Sequence, residues 1–238
     1  ISVEGFFEGE YLTMVTKQGV IKRTPLLEYE YQRKGGKIAI NLDEGDELVF
    51  VMHTVGGSEV IISTHDGCAV RFAEDNVRAM GRTARGVRGI TLQGEDVVVG
   101  VCVVDETKSL LTVTEGGMGK RTLFSDFREM KHRGGKGVTC HNITEKTGKL
   151  ASILTVSDDD DMMLITNEGT IIRTAVSGVN IYSRTAGGVI LMRLDDGCTI
   201  NNVARLEKNE EIEKQSEAVE KENESQAKPE NEIPDSEG

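Results

Sequence analysis

A chain of 238 residues with 37% hydrophobic and 4% aromatic residues, no tryptophan, and 27 glycines against 3 prolines suits many short strands joined by glycine turns better than a helical bundle. No apolar run approaches the ~18 residues of a membrane span, and no signal peptide precedes the first strand pattern. The net charge of −12 opposes nucleic-acid binding only until it is divided: residues 207 to 238 hold 12 acids and 4 bases, residues 1 to 206 hold 28 acids and 24 bases. The chain opens on Ile1 inside a strand pattern, which reads as a piece of a longer polypeptide. Cys68, Cys102, Cys140 and Cys198 stand far apart with no CxxC pair. They read as buried free thiols of a reducing compartment, not as a zinc site.

Four segments align along the chain: TKQGVIKRT from Thr16, THDGCAVRF from Thr64, TEGGMGKRT from Thr114 and TNEGTIIRT from Thr166, at spacings of 48, 50 and 52 residues. Each has glycine fourth (Gly19, Gly67, Gly117, Gly169) and arginine eighth (Arg23, Arg71, Arg121, Arg173). Two further glycines recur in register, at Gly36, Gly86, Gly137 and Gly188 and at Gly45, Gly94, Gly148 and Gly197. In the first repeat YLTMVT, a Gln18-Gly19 turn and VIKRT predict a hairpin. A loop leads to KIAINL, an acidic turn at Asp43 to Asp46, and ELVFVM. Four strands in each unit of roughly 50 residues are blade-like. The expected fold is all-β: a propeller-like pinwheel over residues 1–206, followed by a disordered acidic tail over 207–238.

Charge is segregated within the repeat. Residues 20–41, 68–91, 118–138 and 170–193 hold 19 of the 24 bases of the folded part and only 6 of its 28 acids. Equivalent loops of successive blades share one rim, so this bias predicts a curved basic stripe that tracks a phosphate backbone without reading sequence. The candidate DNA-binding residues follow repeat by repeat. The first supplies Lys22, Arg23, Arg33, Lys34 and Lys37; the second supplies Arg71, Arg82, Arg85 and Arg88. The third is the richest, with Lys120, Arg121, Lys131, Arg133 and Lys136, and its run MKHRGGKGV carries glycines that let main-chain N–H groups approach phosphate. The fourth keeps Arg173 and Arg184. No catalytic set is legible: His53, His65, His132 and His141 make neither a triad nor an HExxH spacing, and the run Asp158 to Asp161 reads as a solvated loop, with no metal expected.

The strings RKGGKIAINLDEGDELV, VRAMGRTARGVRGITL, GKRT followed by RGGKGV, and TAGGVILMRL resemble the C-terminal domain of the DNA gyrase A subunit, over Ile1 to about Leu206. That resemblance implies a six-bladed β-pinwheel of which these are the last four blades. It implies a basic perimeter that wraps duplex DNA for the strand-passage core, and an acidic tail that modulates wrapping. It also implies the gyrase B subunit as partner in an A2B2 assembly, ATP and Mg used elsewhere in the holoenzyme, and a cytoplasmic, chromosome-associated setting. His132 to Gly137 is similar to the family's Gln-Arg-Arg-Gly-Gly-Lys-Gly box, although that box belongs to the first blade. The C-terminal domain of the topoisomerase IV A subunit and a propeller-like protein scaffold stay open as alternatives.

Overall fold

The computed structural model describes residue 3, residues 5–31 and residues 34–207. The chain divides into two units, Ile1–Leu206 and Glu207–Gly238. The expected tail disorder lies outside the described residues.

The Thr-x-x-Gly signature builds each hairpin. The glycine N–H donates to the threonine carbonyl at 2.9–3.1 Å in all four copies, and the glycine φ of +74° to +85° is a conformation that other L-residues resist. The threonine Oγ1 also accepts the N–H four residues on, at 3.1–3.4 Å. The repeat therefore encodes one turn four times.

The first repeat contributes β1 (Tyr11–Thr16), β2 (Val20–Pro25) and β3 (Leu48–Thr54). The second has β4 (Glu59–Thr64), β5 (Cys68–Ala73), β6 (Val87–Arg88) and β7 (Val98–Val103). The third has β8 (Ser109–Thr114), β9 (Met118–Leu123), β10 (Val138–Thr139) and β11 (Leu150–Val156). The fourth has β12 (Asp161–Thr166), β13 (Ile171–Ala175), β14 (Val189–Ile190) and β15 (Ile200–Leu206). Sheet orders are β3-β1-β2-β6, β7-β4-β5-β10, β11-β8-β9-β14 and β15-β12-β13, and the neighbouring pairs in them are antiparallel. Strands β3, β7, β11 and β15 lie side by side as the inner edges of successive blades.

The third strand of a repeat does not join its own blade. β6, β10 and β14 are two residues long and pair with β2, β5 and β9 of the preceding repeat. The second, third and fourth repeats each carry the expected four strands, with the third strand exchanged backward into the preceding blade. That exchange explains why KIAINL forms no strand: among the described residues no preceding hairpin exists to receive it, and Ile38 and Leu42 stay exposed. The fourth blade has three strands among the described residues, and Ile171 on its β13 edge is exposed.

Hydrophobic packing lies between blades, and strand alternation decides which interface each side chain enters. Val60 and Ile62 of β4 pack with Val15 and Ile21 of the first blade. Ile61, between them, faces the third blade with Leu110, Phe124 and Ile153. Leu111 and Val113 then join Met162, Leu164 and Val203. Each such fully buried side chain contributes roughly 1.5–3 kcal/mol, so every interior hairpin is held from both faces. Cys102 and Cys140 are buried free thiols whose pKa burial raises to about 11 and about 12. Cys68 and Cys198 are free but only half-buried.

Candidate nucleic-acid interface

The hairpin bases are interior groups. Arg23, Arg71 and Arg121 are 7%, 8% and 6% exposed, because the next repeat folds over the second strand on which they sit. Arg23 Nη1 lies 2.6 Å from Asp75 and 3.7 Å from the wholly buried Glu74, with its guanidinium 4.3 Å from the Tyr11 ring. Arg71 bonds Glu59, Glu106 at 2.5 Å and the Phe124 carbonyl at 2.7 Å. Arg121 bonds Asp158 and the Val179 carbonyl at 2.5 Å. Charged groups taken out of water need such partners. The main-chain carbonyls of these arginines accept the N–H of Met80, Met130 and Tyr182, each at 2.8 Å, which fixes where the following loop begins.

Two lysines go deeper still. Lys22 and Lys120 are 0% exposed. Lys22 Nζ donates to the carbonyls of Arg82 and, at 2.5 Å, Ala39; Lys120 Nζ donates to the Ser183 carbonyl at 2.6 Å. Burial draws the pKa of each down to about 8. They clamp basic loops from beneath and cannot reach phosphate. The assignment of Lys22, Arg23, Arg71, Lys120 and Arg121 as surface ligands is therefore corrected on burial. Arg173 stays open, its side chain 57% exposed and paired with Asp161 at 2.6 Å, because among the described residues no further repeat covers β13.

The rim loops hold the accessible charge. Lys34, Arg85, Arg88, Lys131 and Lys136 are exposed; Lys37, Arg82, Arg133 and Arg184 are half-buried. Arg33 lies outside the described residues. Arg85 pairs with Asp43 at 2.5 Å but keeps 72% of its side chain in solvent, where such a pair contributes little. Arg78 and Arg128, beside the 3-10 turns Glu74–Asn76 and Phe124–Asp126, are exposed too. They fall inside the basic segments of the sequence but outside its glycine-rich motif, so the motif missed them. Gly137 lets this rim close on the preceding blade: a Cβ there would sit 2.5 Å from the Ala69 carbonyl oxygen.

His141 carries no sequence signal yet anchors the last loop. It is 1% exposed; its Nε2–H donates to the Gly187 carbonyl at 3.1 Å and its Nδ1 accepts from the Thr112 hydroxyl at 2.9 Å. Burial and the nearby Lys120 charge hold its pKa near 4. The run Asp158 to Asp161 is not simply solvated either. Asp158 pairs with Arg121, Asp160 with Arg205 at 3.4 Å and Asp161 with Arg173. No helix is long and apolar enough to cross a membrane among the described residues.

A family model described as DNA gyrase C-terminal domain, beta-propeller, matches residues 10–54, 58–105, 108–157 and 160–212, one segment per blade. The chain belongs to this DNA gyrase C-terminal domain family. The DNA gyrase A subunit of Staphylococcus epidermidis is 44% identical over 206 residues, covering 86% of this chain and 23% of that protein. Its counterpart in Staphylococcus aureus is 41% identical over 212 residues, covering 88% and 24%. The chain thus spans about a quarter of the length of the curated relatives it matches. A solved C-terminal domain of DNA topoisomerase IV superposes with a TM-score of 0.83 at 26% identity, covering 93% of this chain and 69% of that one. A solved DNA gyrase A C-terminal domain gives 0.77 at 29% identity, covering 86% and 68%. The resemblance and the pinwheel architecture expected from sequence both hold. Sequence identity points to gyrase, while the shape is common to both topoisomerases.

Proposed function

We propose that this chain binds duplex DNA along its rim and bends it, as the wrapping part of a gyrase A subunit. The observation that carries this reading is the repeated placement of exposed bases, with Lys34, Arg85, Arg88, Lys131 and Lys136 on equivalent loops of successive repeats. A stripe of this kind neutralises phosphates and releases counterions, with affinity governed by salt and not by base sequence. The chain is read as residues 1–206 of pinwheel, four blades of six, and residues 207–238 of acidic tail. Those 32 residues carry 12 acids and 4 bases.

In the whole enzyme the partner is the gyrase B subunit in an A2B2 assembly, ATP and Mg act in other domains, and the setting is the bacterial cytoplasm. This chain contributes no catalytic group to that reaction. The higher TM-score against topoisomerase IV favours a second reading, in which the domain selects DNA segments and introduces no supercoils. A supercoiling assay of the full-length protein with its ATPase partner separates the two. For the chain itself, a salt titration of duplex binding is the test. Contact with about 6 phosphates gives a slope of log K on log salt near −5; a slope near zero, or strong preference for one sequence, rejects the rim model.

A further inference from the structure

The rim loops are tied to one another by a bond pattern that repeats three times. Arg82 Nη1 donates to the Ile38 carbonyl at 3.3 Å, Arg133 Nη1 to the Arg88 carbonyl at 2.8 Å, and Arg184 Nη1 to the Thr139 carbonyl at 2.9 Å. The acceptors are equivalent residues, each two positions after the glycine at Gly36, Gly86 or Gly137. A return bond runs the other way. The N–H of Asn41 donates to the Ala84 carbonyl at 3.4 Å, that of Thr91 to Gly135 at 2.9 Å, and that of Asn142 to Ala186 at 3.2 Å. Each basic loop is thus stitched to the next by one arginine and one main-chain amide. The stitch survives the one-residue insertion that makes the third repeat's loop longer than its neighbours.

We propose that Arg82, Arg133 and Arg184 are positioning residues that hold successive basic loops at a fixed spacing, so that phosphate binding at the rim is converted into DNA curvature. This rests on the DNA-binding reading above. A guanidinium suits the task because it carries five donors in a rigid plane, so one nitrogen holds a carbonyl while others take further partners: Arg133 Nε also donates to the Asn76 carbonyl at 3.1 Å, and Arg82 Nε lies 3.9 Å from Glu28. Lysine keeps the charge but has one nitrogen on a flexible stem and cannot fix that geometry. Loose loops still bind, one at a time. Bending needs several loops to act together at set distances, since a duplex resists curvature over ~150 base pairs.

The test is the triple variant R82K/R133K/R184K of the full chain, checked for folding by circular dichroism. Affinity and salt slope on a short duplex of about 12 base pairs are measured first, so that bending is compared at equal occupancy. On an end-labelled duplex of about 60 base pairs the native chain should bring the ends together by energy transfer, and the variant should leave them at least twofold less close. Equal bending by variant and native chain overturns the proposal, as does a native chain that binds and leaves the duplex straight. Loss of short-duplex affinity together with bending makes the arginines ordinary phosphate ligands and also overturns it. Failure of the native chain to bind in a salt-dependent way instead sinks the DNA-binding reading. If the triple variant does not fold, single variants decide: the amide of Thr91 in R133K, and of Asn142 in R184K, should exchange hydrogen at least tenfold faster, and unchanged protection rejects the stitch.

Discussion

Two sets of arginines recur along this chain, and the space around them separates their roles. Arg23, Arg71 and Arg121 sit on the second hairpin strand, where the following repeat covers them and each guanidinium meets carboxylates or carbonyls, although the buried Arg23 Nε has no hydrogen-bond partner. Arg82, Arg133 and Arg184 sit half-buried on the rim, each bonded through Nη1 to a carbonyl of the preceding loop. Both sets are periodic and both count equally in a tally of charge. Coverage by the next blade decides which are structural, and Arg173 shows it: the same sequence position, left uncovered, is largely exposed.

That difference is sharpest in stability. Arg121→Ala removes a buried guanidinium and strands the Val179 carbonyl, so unfolding in urea should lose about 3 kcal/mol. Arg173→Ala, at the equivalent position, removes a guanidinium that is 57% exposed, so it should lose less than Arg121→Ala, about 1–2 kcal/mol, even though its partner Asp161 is buried. Equal losses from the two would break the distinction.

The buried lysines give a pH test. Lys120 has its pKa lowered to about 8 in the fold, so between pH 8 and its ordinary 10.5 the unfolded chain holds a proton that the folded chain has released. Stability attributable to Lys120 therefore rises with pH, by up to ~1.4 kcal/mol per pH unit. Lys120→Met should remove that rise. Cys102 and Cys140, whose thiols are raised to about 11 and about 12, ionise first in the unfolded chain from about pH 8.5 and act in the opposite direction, so the readout is the difference between Lys120→Met and the native chain, in which their contribution cancels. A difference between the two proteins that does not change with pH contradicts a buried, titrating Lys120.

His141 supplies the acid-side counterpart. Its pKa near 4 lies below the ordinary 6.5, so the unfolded chain gains the proton first and stability falls as pH drops through that window. His141→Gln should flatten the fall by up to about 1.4 kcal/mol per pH unit in denaturation curves at pH 6.5 and 5. An unchanged fall would place His141 in water. The smallest effect belongs to the exposed rim: Lys136→Ala should shift stability by less than ~0.5 kcal/mol, yet make the salt slope of DNA binding shallower by about 0.9. A large loss of stability there would make the rim structural.

The sequence carried the periodic features well, because a turn that needs Thr first and Gly fourth leaves the same mark in every copy. It carried the repeat number and the hairpins for the same reason. It did not carry the backward exchange of β6, β10 and β14. A two-residue strand has too little pattern to announce its partner, and proximity in sequence favours the wrong blade. The burial of Lys22 and Lys120 was equally hidden. A lysine followed by an arginine reads as a basic patch, and only the loop folding over it shows that its ammonium faces carbonyls.

Amine-reactive footprinting of the free and DNA-bound chain, read by mass spectrometry, tests the separation of rim from hairpin most directly. Lys34, Lys131 and Lys136 should be labelled in the free chain and protected by duplex DNA, whereas Lys22 and Lys120 should resist labelling in both states. Ready labelling of Lys22 or Lys120 in the folded chain, or rim lysines that react equally with and without DNA, would contradict it.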